Sequence, residues 1–245
     1  MEYVGALIAL GAFILGIGIA FFFKHTDKFI QFMLGATLGL TGSLIMIELL
    51  PDASRNISEN FDGSGKIVLL LGYMLIGVLI MRVCDIFLPD HKLNKTNKKG
   101  HYLHIGLMLS IPIMVYNLIV GMKLGITEHP LMMGCGLALC NTLFGIVLTS
   151  LLSKTFVSTV KLALAIILIG LASPIGALLY NFLSNFFNVT NSVMVLITTS
   201  AMGMIIYAAV AEILVSLLEA KYTYITVLGI ILGTCLLFIS HLFYI

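Results

Sequence analysis

Two acidic residues interrupt long apolar runs of this sequence. Glu48 lies in GLTGSLIMIELL and Glu212 in GMIIYAAVAEIL, and each acid follows a glycine, Gly39 or Gly203, by nine positions. A charged side chain at the centre of a bilayer costs roughly 2.5–3.5 kcal/mol, so an acid retained there more often faces a polar cavity than lipid. The alternative is that both carboxylates lie near helix ends and reach water. The first interpretation predicts that both acids line a route for cations.

Histidines gather in one polar stretch, PDHKLNKTNKKGHYLH, where His91, His101 and His104 stand among lysines. Imidazole is a common ligand of zinc-like ions, so these three residues are candidates for a metal-collecting loop. Their spacing is loose, and a solvated linker also explains the stretch. A second polar stretch, PDASRNISENFDGSGK, contains acids that attract cations, although an ordinary loop explains it as well.

Other chemistry finds little support in the residues. The four cysteines lie in apolar runs without a CxxC pair, which indicates neither a disulfide framework nor a zinc knuckle. His241 is the only histidine well inside an apolar run, and no HExxH pair occurs. We therefore expect no enzyme. A net charge of +2 is too weak to suggest nucleic acid as a partner.

The elements that must position these residues are transmembrane helices. Hydrophobic residues fill 60% of 245 positions, charged residues 10%, and the mean hydropathy is +1.13, which no water-soluble domain of this size could bury. A crossing needs roughly 20 apolar residues, so the chain accommodates about eight helices, and strands are excluded because lipid cannot satisfy an open backbone. The predicted helices are 3–23, 28–50, 67–88, 102–124, 130–153, 156–183, 192–218 and 222–244.

Basic residues predict the orientation of the bundle. One side of the predicted membrane holds nine lysines and the other only three basic residues, so the positive-inside rule places both termini outside. The amino-terminal run carries an acid instead of a basic region, which favours a retained helix over a signal peptide. The inner lysines are Lys24, Lys28, Lys92, Lys95, Lys98, Lys99, Lys154, Lys161 and Lys221, and the outer residues are Arg55, Lys66 and Lys123.

With this orientation Glu48 and Glu212 lie on oppositely directed helices. The first three and the last three helices are then predicted to be inverted copies that flank a central pair, an arrangement typical of transporters. We expect one domain over 1–245. Its predicted parts are the first three helices (3–88), an inner loop rich in His and Lys (89–101), the central pair (102–153) and the last three helices (156–244).

Several motifs resemble those of the ZIP (Zrt/Irt-like) family of divalent-metal transporters. The fourth and fifth predicted helices read YNLIVG from Tyr116 and CNTLFG from Cys140, where the family has H-N-x-P-E/D-G and H-N/E-x-P-E-G. The sixth reads LIGLASPIGALL, similar to G-L-A-E-P-L-G-A with Ser173 for the Glu. The seventh reads GMIIY from Gly203 with Glu212 beyond it, similar to G-x-M-x-Y-V-x-x-x-E/D. The resemblance spans nearly the whole chain in the right order.

Most of the ligands that this family supplies are replaced here. The motif histidines stand as Tyr116 and Cys140, the motif acids as Val120 and Phe144, and the acid of the sixth helix as Ser173. Zinc prefers nitrogen and sulfur donors at about four positions, and harder divalent ions need carboxylates. The resemblance therefore implies a degenerate metal centre with one strong ligand.

The donors that remain at this centre are two amides, one thiol and one hydroxyl. Cys140 binds metal well only as a thiolate, which burial opposes unless a cation is bound. The alternative role of the two asparagines is hydrogen bonding between helices. Lys123 would repel a divalent ion if it pointed inward, and the alternative is that it reaches the outer interface. The resemblance implies Asn117, Cys140, Asn141 and Ser173 as metal ligands, with Glu48, Glu212, Tyr116 and Tyr207 along the access route.

The resemblance implies transport of a divalent transition metal, such as zinc or iron, toward the cytoplasm. The transported ion is then the only expected ligand, with no cofactor, and a homodimer is suggested. The missing ligands leave two alternatives, a transport-inactive regulator and a carrier of a different substrate. Short loops and the absence of a signal peptide suit a multi-pass protein of a bacterial plasma membrane.

Overall fold

The computed structural model of this chain describes residues 3–23, 25–61, 65–88, 98–125, 127–154, 158–186, 191–219 and 221–243. These residues are almost entirely helical and contain no β-strand. Eight of their helices are long and apolar enough to cross a membrane, which confirms that part of the prediction. They are α1 (Val4–Phe22), α2 (Asp27–Asn60), α3 (Lys66–Phe87), α4 (Lys98–Leu124), α5 (Pro130–Leu152), α6 (159–186), α7 (191–218) and α8 (Thr223–His241).

Helix α2 continues past its predicted end at residue 50. That end was expected because Pro51 lacks an N–H group and its ring clashes with the preceding turn of an α-helix. Instead, the α-helix Asp27–Leu44 widens into a π-helical turn, Ile45–Leu49, and resumes over Leu50–Asn60. The π-helical turn changes the backbone hydrogen-bonding pattern where the nitrogen of Pro51 cannot donate, so the helix continues past the proline. The expected outer loop is therefore helical as far as residue 60.

Helix α7 contains a second π-helical segment. Its α-helix Asn191–Tyr207 is followed by the π-helix Ala208–Leu214 and a last α-helical turn, Val215–Leu218. Such segments are rare in proteins and occur frequently at functional sites. Glu48 and Glu212, the two acids that the sequence singles out, both lie in them.

Helix α4 begins at Lys98, four residues before its predicted start. His101 therefore lies in the first turn of α4 and not in the expected loop 89–101, and His104 lies in the second turn, within the predicted helix 102–124. Polar residues can form a helix outside the apolar core of the membrane, so the charge cluster did not end it. His91 lies outside the described residues. Helix α6 consists of two segments, Thr159–Gly170 and 172–186, which meet at Leu171.

The helices pack in close pairs: α1 with α5, α2 with α8, α3 with α7, and α4 with α6. Each pair has a glycine on both partners, which lets the two backbones approach. A Cβ on Gly39 of α2 would collide with the carbonyl of Ile230 in α8, and one on Gly203 of α7 with the carbonyl of Met74 in α3. Helices α2, α4, α5 and α7 are the most buried, and α3 is the least.

We expect Gly203→Ala to destabilise the bundle by about 1–3 kcal/mol, because its new methyl group collides with backbone that cannot yield. Gly72→Ala is the matched control on the exposed side of α3, where no atom lies within 4 Å of the added carbon. Thermal unfolding of both purified variants in detergent measures the difference. An equal melting temperature for the two variants would contradict the close pairing of α3 and α7.

Candidate metal centre

Asp85, His104 and Glu212 meet inside the bundle. His104 Nε2 lies 3.2 Å from Asp85 Oδ1 and 3.4 Å from Glu212 Oε2. One ligand atom from each residue lies within 4.8 Å of the other two, and all three residues are buried. Two carboxylates and an imidazole are donors that divalent transition metals accept. Among the residues that the structure describes, this is the one such group of His, Cys, Asp or Glu side chains.

Three helices bring these residues together. Asp85 lies in the last turn of α3, His104 in the second turn of α4, and Glu212 in the π-helical segment of α7. The close packing of α3 on α7 holds the two acids near each other, and α4 contacts both helices. The site therefore depends on the packing of three separate parts of the chain.

The two oxygens of Asp85 have different partners. Tyr207 donates its hydroxyl to Oδ2 at 2.8 Å, and Arg82 donates Nη1 to the same oxygen at 2.7 Å. Oδ1 is the oxygen that faces His104. Such partners of a ligand fix its orientation, so Asp85 is held with one oxygen turned toward the centre.

His101 extends this polar group along α4. Its Nε2 lies 3.3 Å from the Ser216 hydroxyl of α7, one turn beyond Glu212. The contact joins the start of α4 to the end of α7 beside the three-residue group. His101 is thus near the centre, while its role as a ligand stays a prediction.

Asn141 and Cys140 are turned toward different helices. The Asn141 amide donates to the carbonyl of Ala9 in α1 at 3.1 Å. The Cys140 thiol lies beside Ser240 of α8, whose hydroxyl donates to the carbonyl of Gly136 one turn before the cysteine. The Asn141 amide therefore has the alternative role that was considered for the asparagines, a hydrogen bond between helices. Metal binding by this pair stays a prediction.

Asn117 and Ser173 are buried polar residues near the contact of α4 with α6. Ser173 packs its backbone against Gly121, one turn after Asn117. Neither the Asn117 amide nor the Ser173 hydroxyl has a hydrogen-bond partner among the described residues. A buried polar group without a partner costs about 1–3 kcal/mol, so these two remain the stronger candidates of the predicted four.

An apolar cavity lies between α2, α4, α5 and α7. Its volume is about 10 Å³, enough for about one water molecule. The ring of Tyr116 meets that of Phe144 edge to face, with centroids 6.3 Å apart, and both rings line the cavity. Tyr116, which was expected along an access route, therefore helps to close the middle of the bundle in this conformation. The remaining lining residues are Thr37, Thr41, Leu44, Leu109, Pro112, Ile113, Ile205, Ala208 and Ala209.

A second charged group lies at the opposite end of the cavity from His104. Lys123 Nζ of α4 lies 2.7 Å from Asp52 Oδ2 of α2. Glu48 lies one turn before Asp52, within electrostatic range of Lys123, Asp52 and His241. The Lys123 ammonium pairs with Asp52 and does not line the cavity, and its reach to the outer interface stays a prediction.

The order of these groups along α4 defines three levels. His104 precedes the first cavity residue of α4, Leu109, by five positions, or about 7 Å of helix, and Lys123 follows the last, Tyr116, by seven positions, or about 10 Å. Helices α2 and α7 place Glu48 and Glu212 on opposite sides of their own cavity residues. An apolar level therefore separates two charged levels.

The fold and the site together define a class of protein: a helical bundle built for a membrane, with a carboxylate–imidazole group buried at one end. No protein-family model matches this chain, and no curated protein matches it.

Asp85 is the site residue that sequence reasoning missed. It follows Arg82 by three positions within an apolar run, so an acid at depth was visible there as it was for Glu48. The missing information was tertiary, because only the pairing of α3 with α7 shows that this carboxylate faces Glu212. His104 and Glu212 were both predicted, but for different parts of the protein.

We expect the purified protein to bind Co²⁺ at this centre with visible d–d absorption, and His104→Gln to weaken binding at least about tenfold because the imidazole is one of three donors. His129→Gln, at an exposed histidine, is the matched control. Titrations followed by absorbance compare the variants, and zinc competition gives the zinc affinity. Equal Co²⁺ affinity in both variants would exclude His104 as a ligand.

Proposed function

We propose that this chain is a ZIP-like transporter that carries a divalent transition-metal cation, such as zinc or iron, toward the cytoplasm. The observation that carries the proposal is the buried group of Asp85, His104 and Glu212. Two buried carboxylates are costly in an apolar bundle, and intramembrane acids of this kind mark ion pathways. With a neutral imidazole, two carboxylates balance the charge of one divalent cation.

The orientation assigns a role to each level. If both termini lie outside, as the lysines predict, the end of α3 and the start of α4 lie on the cytoplasmic side. The Asp85–His104–Glu212 centre is then the inner site, from which an ion leaves, and the Asp52–Lys123 pair with Glu48 marks the outer end. The predicted access residues Glu48 and Glu212 fit this order.

The helix pairing supports the predicted inverted repeat. Exchanging α1–α3 with α6–α8, and α4 with α5, converts the α1–α5 pair into α6–α4 and the α2–α8 pair into α7–α3. The equivalent glycines, Gly39 and Gly203, contact the equivalent helices α8 and α3. Glu48 and Glu212 also each lie in a π-helical segment, one in α2 and one in α7. A 3+2+3 arrangement of this kind favours transport by alternating access, in which one part of the bundle moves against the other.

Passage of an ion requires the middle level to open. A cavity of about 10 Å³ with an apolar lining excludes a hydrated cation, and apolar constrictions of this kind act as gates. Movement of α2, α4, α5 and α7 that separates Tyr116 from Phe144 would connect the two charged levels. Asn117 and Ser173 are the predicted ligands to which the passing ion then gains access.

The aromatic filling of the centre favours one alternative, a transport-inactive regulator that keeps the fold. Such a protein would bind metal at the inner centre and report it to another membrane protein without opening the middle level. The eight apolar helices agree with a multi-pass membrane protein. We further propose that the protein lies in a bacterial plasma membrane and forms a homodimer.

We expect expression of this chain to raise the accumulation of radioactive zinc or iron in metal-starved bacteria. Glu212→Gln should lower it at least about tenfold, because it removes a charged ligand from the inner centre. Glu59→Gln, at an exposed acid of α2, should match the wild type. Membrane amounts of each variant are measured by immunoblot. Wild-type uptake equal to that of the empty vector would favour the regulator instead.

Reporter fusions test the orientation separately. Alkaline phosphatase fused to the carboxyl terminus should be active and green fluorescent protein should be dark, because the fusion point is predicted to lie outside. The converse pair of results would reverse the assignment of the two charged levels.

A further inference from the structure

The inner centre carries a positive charge of its own. Arg82 Nη1 lies 2.7 Å from Asp85 Oδ2, one turn earlier on the same helix. The Arg82 side chain is 59% exposed, whereas the carboxylate that it contacts is 7% exposed. A flexible side chain thus reaches from the surface of the bundle to a buried acid.

We propose that Arg82 is a tethered counter-ion that competes with the transported cation for Asp85 and so promotes its release. This inference rests on the proposed function, because it assigns a regulatory residue to the same centre. A guanidinium cannot lose its proton in a protein, so its charge persists at every step. It stabilises the buried carboxylate in the ion-free protein and repels a divalent cation that binds the other oxygen.

The charges around the centre lead to this assignment. Asp85 presents Oδ1 to His104 and Oδ2 to the Arg82 guanidinium. A divalent cation bound at Oδ1 would therefore lie close to a permanent positive charge. The bound state is therefore less favourable than the same three ligands would give without Arg82.

Tyr207 allows the effect of charge on metal binding to be distinguished from the effect of orienting Asp85. Its hydroxyl donates to the same oxygen of Asp85 at 2.8 Å, but it is neutral. If Arg82 only oriented the carboxylate, its loss and the loss of the Tyr207 hydroxyl would both weaken metal binding. If Arg82 acts as a counter-ion, the two changes have opposite signs.

The test is Co²⁺ and Zn²⁺ titration of the purified full chain in detergent. We expect Arg82→Gln to bind about tenfold more tightly than the wild type, because it removes a nearby positive charge. Tyr207→Phe should bind about tenfold more weakly, because the carboxylate loses an orienting partner. Arg82→Lys keeps the charge and should stay near the wild type. Arg82→Met provides a second neutral variant, and thermal unfolding confirms that each variant is folded.

Release is measured in liposomes that contain the protein and a metal-sensitive dye. Arg82→Gln should show a lower maximal rate together with its higher affinity. Weaker or unchanged metal affinity in both neutral variants overturns the counter-ion role. Failure of the proposed function gives a different result, because liposomes with the wild-type protein would then release no more metal than protein-free liposomes.

Discussion

Charge inside an apolar bundle has to be compensated nearby, because lipid provides neither water nor mobile counter-ions. This constraint accounts for the arrangement of seven charged or ionisable side chains on either side of the cavity. They gather at two levels, where acids meet basic or imidazole groups, and the cavity between these levels is mostly apolar. The members are Arg82, Asp85, His104 and Glu212 at one end, and Glu48, Asp52 and Lys123 at the other.

The backbone makes these two levels possible. Glycines on both partners bring the helices of each pair so close that residues from three helices can share one small volume. The π-helical segments shift the direction of the side chains that they carry, and both segments carry an acid. In α2 the same segment lets the helix continue through Pro51. Local irregularity and function therefore coincide at the same residues.

Hydropathy alone predicted the eight helices, because lipid forces each crossing to be long, apolar and helical. The predicted helix boundaries were wrong at two places. At Pro51 a π-helical turn lets α2 continue past the proline. At Lys98 helix α4 begins among charged residues, before the apolar segment. The acids and His104 were visible as polar residues in unusual places. Their convergence was not, because it depends on which helices pair. Asn141 and Cys140 are adjacent in sequence yet face α1 and α8, which periodicity cannot resolve without the neighbours.

Helix α2 is longer than the hydrocarbon thickness of a membrane. Its 34 residues span about 51 Å, against roughly 30 Å of hydrocarbon. Its final turns still bury Ala53 and Ile57. In the proposed orientation, this excess length stands above the lipid as an overhang on the extracellular side. A cation approaching Glu48 would then pass this projecting segment of the protein, close to Asp52, before it leaves bulk solution.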